Sequence, residues 1–443
     1  MTRVWRIRAL AGVTFALCAG PTSSALAGQS PVDSGTTRFD VDGVKVIYRH
    51  TNTNLFVANL YLLGGVSLAT PATAGLETML LEVTERGTKK YPGDALRRAM
   101  ARTGSEIGVS AHEDFTIYGL RTTIDRVDST WSIYADRLLQ PTLDAEAFGF
   151  VRENRVSAVS QREDSPDALL DYLADSVAFA GNPYALSPVG TARSLSGITL
   201  EQLRTFHRTQ LVKSRLLLVV VGNLPRAQIE RLVRQSFATL PAGDYQWKVP
   251  TVMGAREGSN VHIVSRRVPT NYILGWWSGP PAGHADVPAL RVASAILSGR
   301  LFAEVRSRRN LTYAVDARFR DRAVTSGGLY VTTTQPDTTL AIMRNELRNL
   351  QQITLRTEYL QPLVQQFITE YFLDNETSGA QADFLARAEL YRGDFRAGDR
   401  FMAELRAVTG EDVRRVAETW MKEIRFTYIG NPAQVNRFRL MSF

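Results

Sequence analysis

The stretch RLLLVVVGNLPRAQIERLVRQSFATLP (residues 215–241) opens on an unbroken apolar run, turns at Gly222-Asn223, and then repeats Ile229, Leu232, Val233 and Phe237 on one helical face. It reads as a buried-type strand, a turn and an amphipathic helix. The residues before it, TLEQLRTFHRTQLVKS (199–214), form a second amphipathic helix. The same order returns in TGEDVRRVAETWMKEIRFTYIGNPAQVNRF (409–438), where Gly430 lies 208 positions after Gly222. Earlier segments echo each other as well. NLFVANLYLLGGVSL (54–68) precedes the helix that begins at Gly75, and TNYILGWWSGPPAGH (270–284) precedes VPALRVASAILSGRLF (287–302). A repeat of roughly two hundred residues is too long for a solenoid unit and fits two tandem domains.

Each half begins with strands, carries helices in its middle, and returns to strand before a closing helix. In YAVDARFR, Tyr313, Val315, Ala317 and Phe319 alternate onto one face, the mark of a half-buried antiparallel strand. The expected fold is therefore α+β: two homologous domains, each a mainly antiparallel sheet covered on one face by helices. The linker is expected in 240–260, where Pro, Gly and polar residues replace periodicity, which divides the chain into domains 28–245 and 246–443. Trp276 and Trp277 sit side by side on a strand, so one ring is expected in the core and the other toward a chamber or a partner. Ser165 before Pro166 marks a helix break or start.

The chain has 443 residues, 44% hydrophobic and 22% charged, an ordinary globular composition. Arg3, Arg6 and Arg8, an apolar run from Ala9 to Ala19 and the small residues of Ala25-Leu26-Ala27 read as a signal peptide over 1–27. The expectation is an exported protein of the periplasm or cell envelope. The single cysteine, Cys18, lies in that leader, which leaves the mature chain without disulfides or a thiol nucleophile. The three leader arginines account for part of the net charge of +8, leaving a mild +5 spread over scattered arginines. That pattern argues against nucleic-acid binding, and no apolar stretch after the leader is long enough for a transmembrane helix.

Five segments carry a resemblance: GLETMLLEVTERGTKKYP (75–92), ARTGSEIGVSAHEDFTIYGLRT (101–122), GNPYALSPVGTARSLSGITLEQLRTFHRTQL (181–211), LLLVVVGNL (216–224) and GRLFAEVRSRRNLTYAV (299–315). In order and spacing they resemble the M16 zinc metallopeptidases, the group of insulinase, pitrilysin and mitochondrial processing peptidase. In size the chain is similar to the bacterial two-domain branch, whose subunits pair around a closed chamber. Active members carry His-x-x-Glu-His on the first of these helices, so that two imidazoles one turn apart hold zinc and the glutamate activates its water. Aligned without a gap through Gly75-Leu76 and Gly87-Thr88, the three positions here are Thr78, Leu81 and Glu82. The resemblance places a third ligand near Ser157 or Ala158, with Glu153 one turn earlier. Both histidines, the base and the third ligand are thus replaced.

The five histidines, His50, His112, His207, His262 and His284, are too far apart in sequence to rebuild the pair. His112, Glu113 and Asp114 are adjacent, but neighbouring strand residues point to opposite faces, and His112 reads as a polar residue toward the chamber. Thr78, Glu82 and Glu85 share a helix face; carboxylates without histidine suit magnesium or calcium better than zinc, and a solvated face is favoured over either. No metal or cofactor is expected in this chain.

In LFAEVRSRRNLTY (301–313), Arg306 and Tyr313 stand seven apart, as does the Arg/Tyr pair in the second domain of the family. On that segment alone they read as a surface arginine and a strand-filling tyrosine; the whole-chain resemblance favours a substrate-binding pair. A guanidinium fork and a phenol can both donate hydrogen bonds to a peptide carbonyl. Asn310 is the expected helix stop, with Tyr313 opening the next strand and Arg300, Arg308 and Arg309 as surface charges. The resemblance implies a non-catalytic subunit that pairs with a His-x-x-Glu-His subunit holding the zinc, or else a peptide-binding or scaffold protein with no part in proteolysis.

Overall fold

The computed structural model describes residues 35–251 and 261–443. The expected leader, the first residues of the mature chain and part of the expected linker (252–260) lie outside the described residues.

Among the described residues, eleven strands form two sheets. β1 (Thr36–Val41), β2 (Val44–His50), β3 (Leu55–Leu63), β4 (Glu106–Ala111), β5 (Phe115–Thr123) and β6 (Leu216–Gly222) make the first, in the order β1-β2-β6-β3-β5-β4. β7 (Val261–Ser265), β8 (Asn271–Pro281), β9 (Val315–Arg320), β10 (Val324–Thr333) and β11 (Arg425–Gly430) make the second, in the order β7-β11-β8-β10-β9. Apart from the additional edge strand β1, the orders are the same. Each sheet is antiparallel except for one parallel pair, β2 with β6 and β7 with β11. Gly222 and Gly430 close the equivalent strands β6 and β11, so the duplication read from sequence is a duplication of topology.

The sheets are covered on both faces, not one. Inward from the first sheet, Trp131, Tyr134 and Phe237 fill a core beneath the helices Val127–Leu139 and Arg226–Ser236. Its other face, with Ile47, Tyr61, Leu217, Val219 and Val221, is sealed by Ala382, Leu385 and Ala386 of the helix Ser378–Arg392, which comes from the second half of the sequence. The exchange is mutual. The helix Pro166–Ala178, from the first half, lays Leu169, Leu170, Ala174 and Ala178 against Leu274, Trp276, Tyr330 and Ile429 of the second sheet. Ser165 caps this helix by accepting from Ala168 N at 3.4 Å, with Pro166 in its first turn. A strand in the middle of such a sheet has no solvated face, which is why β6 carries no polar side chain.

Trp276 and Trp277 are both fully buried. They point to opposite faces of β8, Trp277 into the second domain's own core and Trp276 into the exchanged-helix layer, so neither lines a chamber. Directly opposite on β10 stand Gly328 and Gly327. A Cβ at Gly327 would lie 2.3 Å from the Trp277 ring, and one at Gly328 would lie 2.5 Å from the Trp276 ring. The glycine pair is therefore what lets two indoles occupy adjacent positions on one strand.

Candidate functional site

The helix Leu76–Val83 starts at Gly75, whose φ of 87° is left-handed and suits glycine. On it, Thr78 is buried and donates from Oγ1 to Pro188 O at 2.9 Å. Leu81 is buried in the first domain's core. Glu82 is 30% exposed and forms an ion pair with Arg155 on the helix Ala145–Ser160, Oε2 to Nε 2.8 Å. Burial pushes the Glu82 carboxyl up, Arg155 pulls it back down, and Glu85 adds to the rise; the net shift is upward. Ser157, Ala158 and Glu153 are all exposed. The side chain of that helix that faces Glu82 is thus Arg155, one turn or less from the positions expected.

This donor set does not fit zinc. A hydroxyl committed to a backbone carbonyl, a leucine in the core and a carboxylate already paired with a guanidinium leave no imidazole or free carboxylate to share a cation. Among the described residues no group of three His, Cys, Asp or Glu side chains is placed to hold a metal ion. Thr78, Glu82 and Glu85 do not form one solvated face either: Thr78 is inside, and Glu85 pairs with the buried Arg137 at 2.9 Å. Glu77, which sequence reading passed over, is held at 2.6 Å by buried Arg215 and accepts from Thr116 Oγ1 at 2.7 Å. Its signal would have been an acid on the same helix face as Leu80 and Leu81.

His112 and Thr78 meet at one small cleft, lined also by Val66, Leu76 and Pro188. His112 contacts Ser110 Oγ at 3.1 Å, and burial, with Arg387 nearby, holds its imidazole below the usual histidine range. Its neighbours turn away. Glu113 lies 3.7 Å from Arg322; burial alone would raise its carboxyl, but Arg322 and Arg320 outweigh it and hold it low. Asp114 is buried and accepts from Tyr184 Oη at 2.6 Å, Tyr391 Oη at 2.7 Å and Ala323 N at 2.8 Å, binding the first half to the second.

The structure does bring Arg306 and Tyr313 together. The helix Val287–Leu301 widens into a π-helical turn, Phe302–Ser307, where Arg308 N donates to Ala303 O at 2.9 Å. Asn310, at φ 51°, ends it in the left-handed region that asparagine tolerates. Tyr313 follows in the loop before β9 and is 82% exposed, so it does not share the buried face of Val315 and Ala317. The Arg306 guanidinium carbon sits 5.1 Å from the centroid of the Tyr313 ring. Glu304, the sole acid of this turn, is engaged by Arg308 and Arg309, and the Arg306 side chain forms no ion pair or hydrogen bond among the described residues.

Two family models match: insulinase (peptidase family M16) over residues 45–192, and the peptidase M16 inactive domain over 197–367. The chain belongs to the M16 family. It is 24% identical over 361 residues to an uncharacterised zinc protease of Streptomyces coelicolor, covering 79% of this chain and 78% of that protein. It is 23% identical over 392 residues to the mitochondrial cytochrome b-c1 complex subunit 1 of Caenorhabditis elegans, covering 84% and 83%. In fold it is similar to the crystal structure of a protease from Helicobacter pylori, with a TM-score of 0.81, 17% identity, and coverage of 90% of this chain and 99% of that one. A Pseudomonas fluorescens structure described as a peptidase M16 inactive domain gives a TM-score of 0.80 at 19% identity, over 89% and 98%.

Proposed function

We propose that this chain is the non-catalytic, substrate-binding subunit of an exported M16-type peptidase: a mature protein from about residue 28, in the periplasm or cell envelope, paired with a subunit that carries His-x-x-Glu-His and the zinc. The observation that carries the reading is the contrast between the two halves. The positions that the resemblance assigns to the metal site in domain 28–245 are filled by Thr78, Leu81 and an internal Glu82–Arg155 ion pair, while domain 246–443 has Arg306 beside an exposed Tyr313, its donors without a partner among the described residues. Hydrolysis would belong to the partner's zinc. Arg306 and Tyr313 would donate to the carbonyls of a peptide strand and fix its position.

A pull-down of the tagged full-length protein from its native envelope, with companions identified by mass spectrometry, tests this directly. An equimolar chain bearing His-x-x-Glu-His is expected. In the reconstituted pair, Arg306→Ala should lower kcat/KM by roughly tenfold to a hundredfold, the loss of a charged hydrogen-bond donor. The second reading, a peptide-binding or scaffold protein outside proteolysis, is favoured by the similarity to a cytochrome b-c1 subunit. Recovery of this chain alone, or within an unrelated membrane assembly, would select it.

A further inference from the structure

The Arg306 guanidinium has a second aromatic neighbour. Its carbon lies 5.1 Å from the ring centroid of Phe302, the same distance as from Tyr313. Phe302 begins the π-helical turn and Arg306 stands near its end, both half-buried. The wide turn adds one residue relative to an α-helix, rotating the residues after it by about 100°. A core side chain at a helix end would not account for the incomplete burial of Phe302 or for its position against Arg306, whose side chain has no ion pair among the described residues. Arg308 and Arg309 take between them the carboxylate of Glu304, the one acid of the turn, so it does not draw Arg306 aside.

We propose that Phe302 is a positioning residue that, with Tyr313, holds the Arg306 guanidinium between two aromatic rings so that only its donor edge is presented to a peptide carbonyl or carboxylate. This rests on the reading of Arg306 and Tyr313 as a substrate-binding pair and adds a third member to it. Both faces of a guanidinium are apolar enough to stack, whereas its N–H groups lie in the plane. Ring contacts on the faces therefore fix orientation without consuming the donors, at a lower entropic cost on binding than a free arginine would carry.

The test uses the full-length protein selectively labelled with 15N-arginine, with fluorescein-labelled β-casein as an unfolded polypeptide probe. The Arg306 Nε–H resonance, assigned by its disappearance in Arg306→Lys, is expected upfield from the ring currents. Phe302→Leu should shift it toward the position of a free arginine and weaken casein binding by about two- to fivefold, the range of an exposed cation–π contact. Phe302→Tyr should restore both, with the melting temperatures of the three proteins alike. If Phe302→Leu leaves resonance and affinity unchanged while Arg306→Ala lowers affinity, the positioning role is overturned and the pair stands. If Arg306→Ala and Phe302→Leu both bind as the parent does, the reading of the pair falls, and the positioning role with it.

Discussion

Arg155 supplies Glu82 with an internal cation. The guanidinium does for the carboxylate part of what a metal ion would do, since it opposes the desolvation that pushes Glu82 upward. Arg155→Gln should therefore destabilise the protein by about 1–3 kcal/mol, between exposed and fully buried pairs. The sign of the pH dependence is set by the direction of the shift. With Arg155 gone the folded-state carboxyl rises further above its unfolded value, so the penalty is complete at neutral pH, where Glu82 must be charged. It fades as pH falls through the raised folded value toward about pH 4 and Glu82 takes up a proton. Urea melts of both proteins at pH 7 and pH 4.5 measure it; an equal loss at both values would show that Arg155 acts by packing alone. Thr78, Leu81 and Glu82 are legible in the sequence because a gap-free helical phrase with a glycine at each end fixes their register. Arg155 is not, because helical spacing gives the face of a residue but not which of several neighbouring turns meets the opposing helix.

At the level of elements, the Trp276-Trp277 pair on β8 and the Gly327-Gly328 pair on β10 are one device. Gly328→Ala would place a methyl against the Trp276 ring in a layer that has no room to relax, at a cost of roughly 1–3 kcal/mol. Thermal unfolding should show a clear fall in midpoint, whereas Gly299→Ala, at a helical glycine whose added Cβ meets nothing within 4 Å, should leave the midpoint unchanged or raise it. A midpoint for Gly328→Ala equal to the parent's would mean that the sheet yields more easily than its packing implies. The alternation of strand residues showed that the two indoles point apart. Alternation alone could not show that both faces are dry, because the cover of the second face is supplied by the helix Pro166–Ala178, from the other half of the sequence.

Across the whole molecule, the exchanged helices are keyed by charge as well as by apolar contact. Asp167, Asp171 and Asp175 recur every fourth residue on the helix Pro166–Ala178 and meet Tyr330, Arg318 and Arg320 of the second sheet. In return, Glu389 on the helix Ser378–Arg392 is buried between Arg38 at 3.0 Å and Lys45 at 3.1 Å. Asp114 joins both layers through two phenols. Asp114→Asn replaces one acceptor oxygen by a donor against those hydroxyls, and a loss of about 2–4 kcal/mol is expected, read as a lower urea midpoint. If the midpoint is unchanged, the joint is held by apolar burial alone. The spaced aspartates and the Arg-x-Arg of β9 are visible in the sequence, but each reads as a solvated face until its partner is known. The repeat itself, set by the Gly-Asn turns at Gly222 and Gly430, was enough to give two domains of like topology.

The mutual exchange of helices also orders events in time. A ribosome delivers the first sheet long before the helix Ser378–Arg392, so Ile47, Tyr61, Leu217, Val219 and Val221 wait uncovered until nearly the whole chain has been made. The first domain is thus expected to need chaperones during synthesis, and a chain truncated before residue 378 would end with a greasy sheet and no helix Ser378–Arg392 to close it.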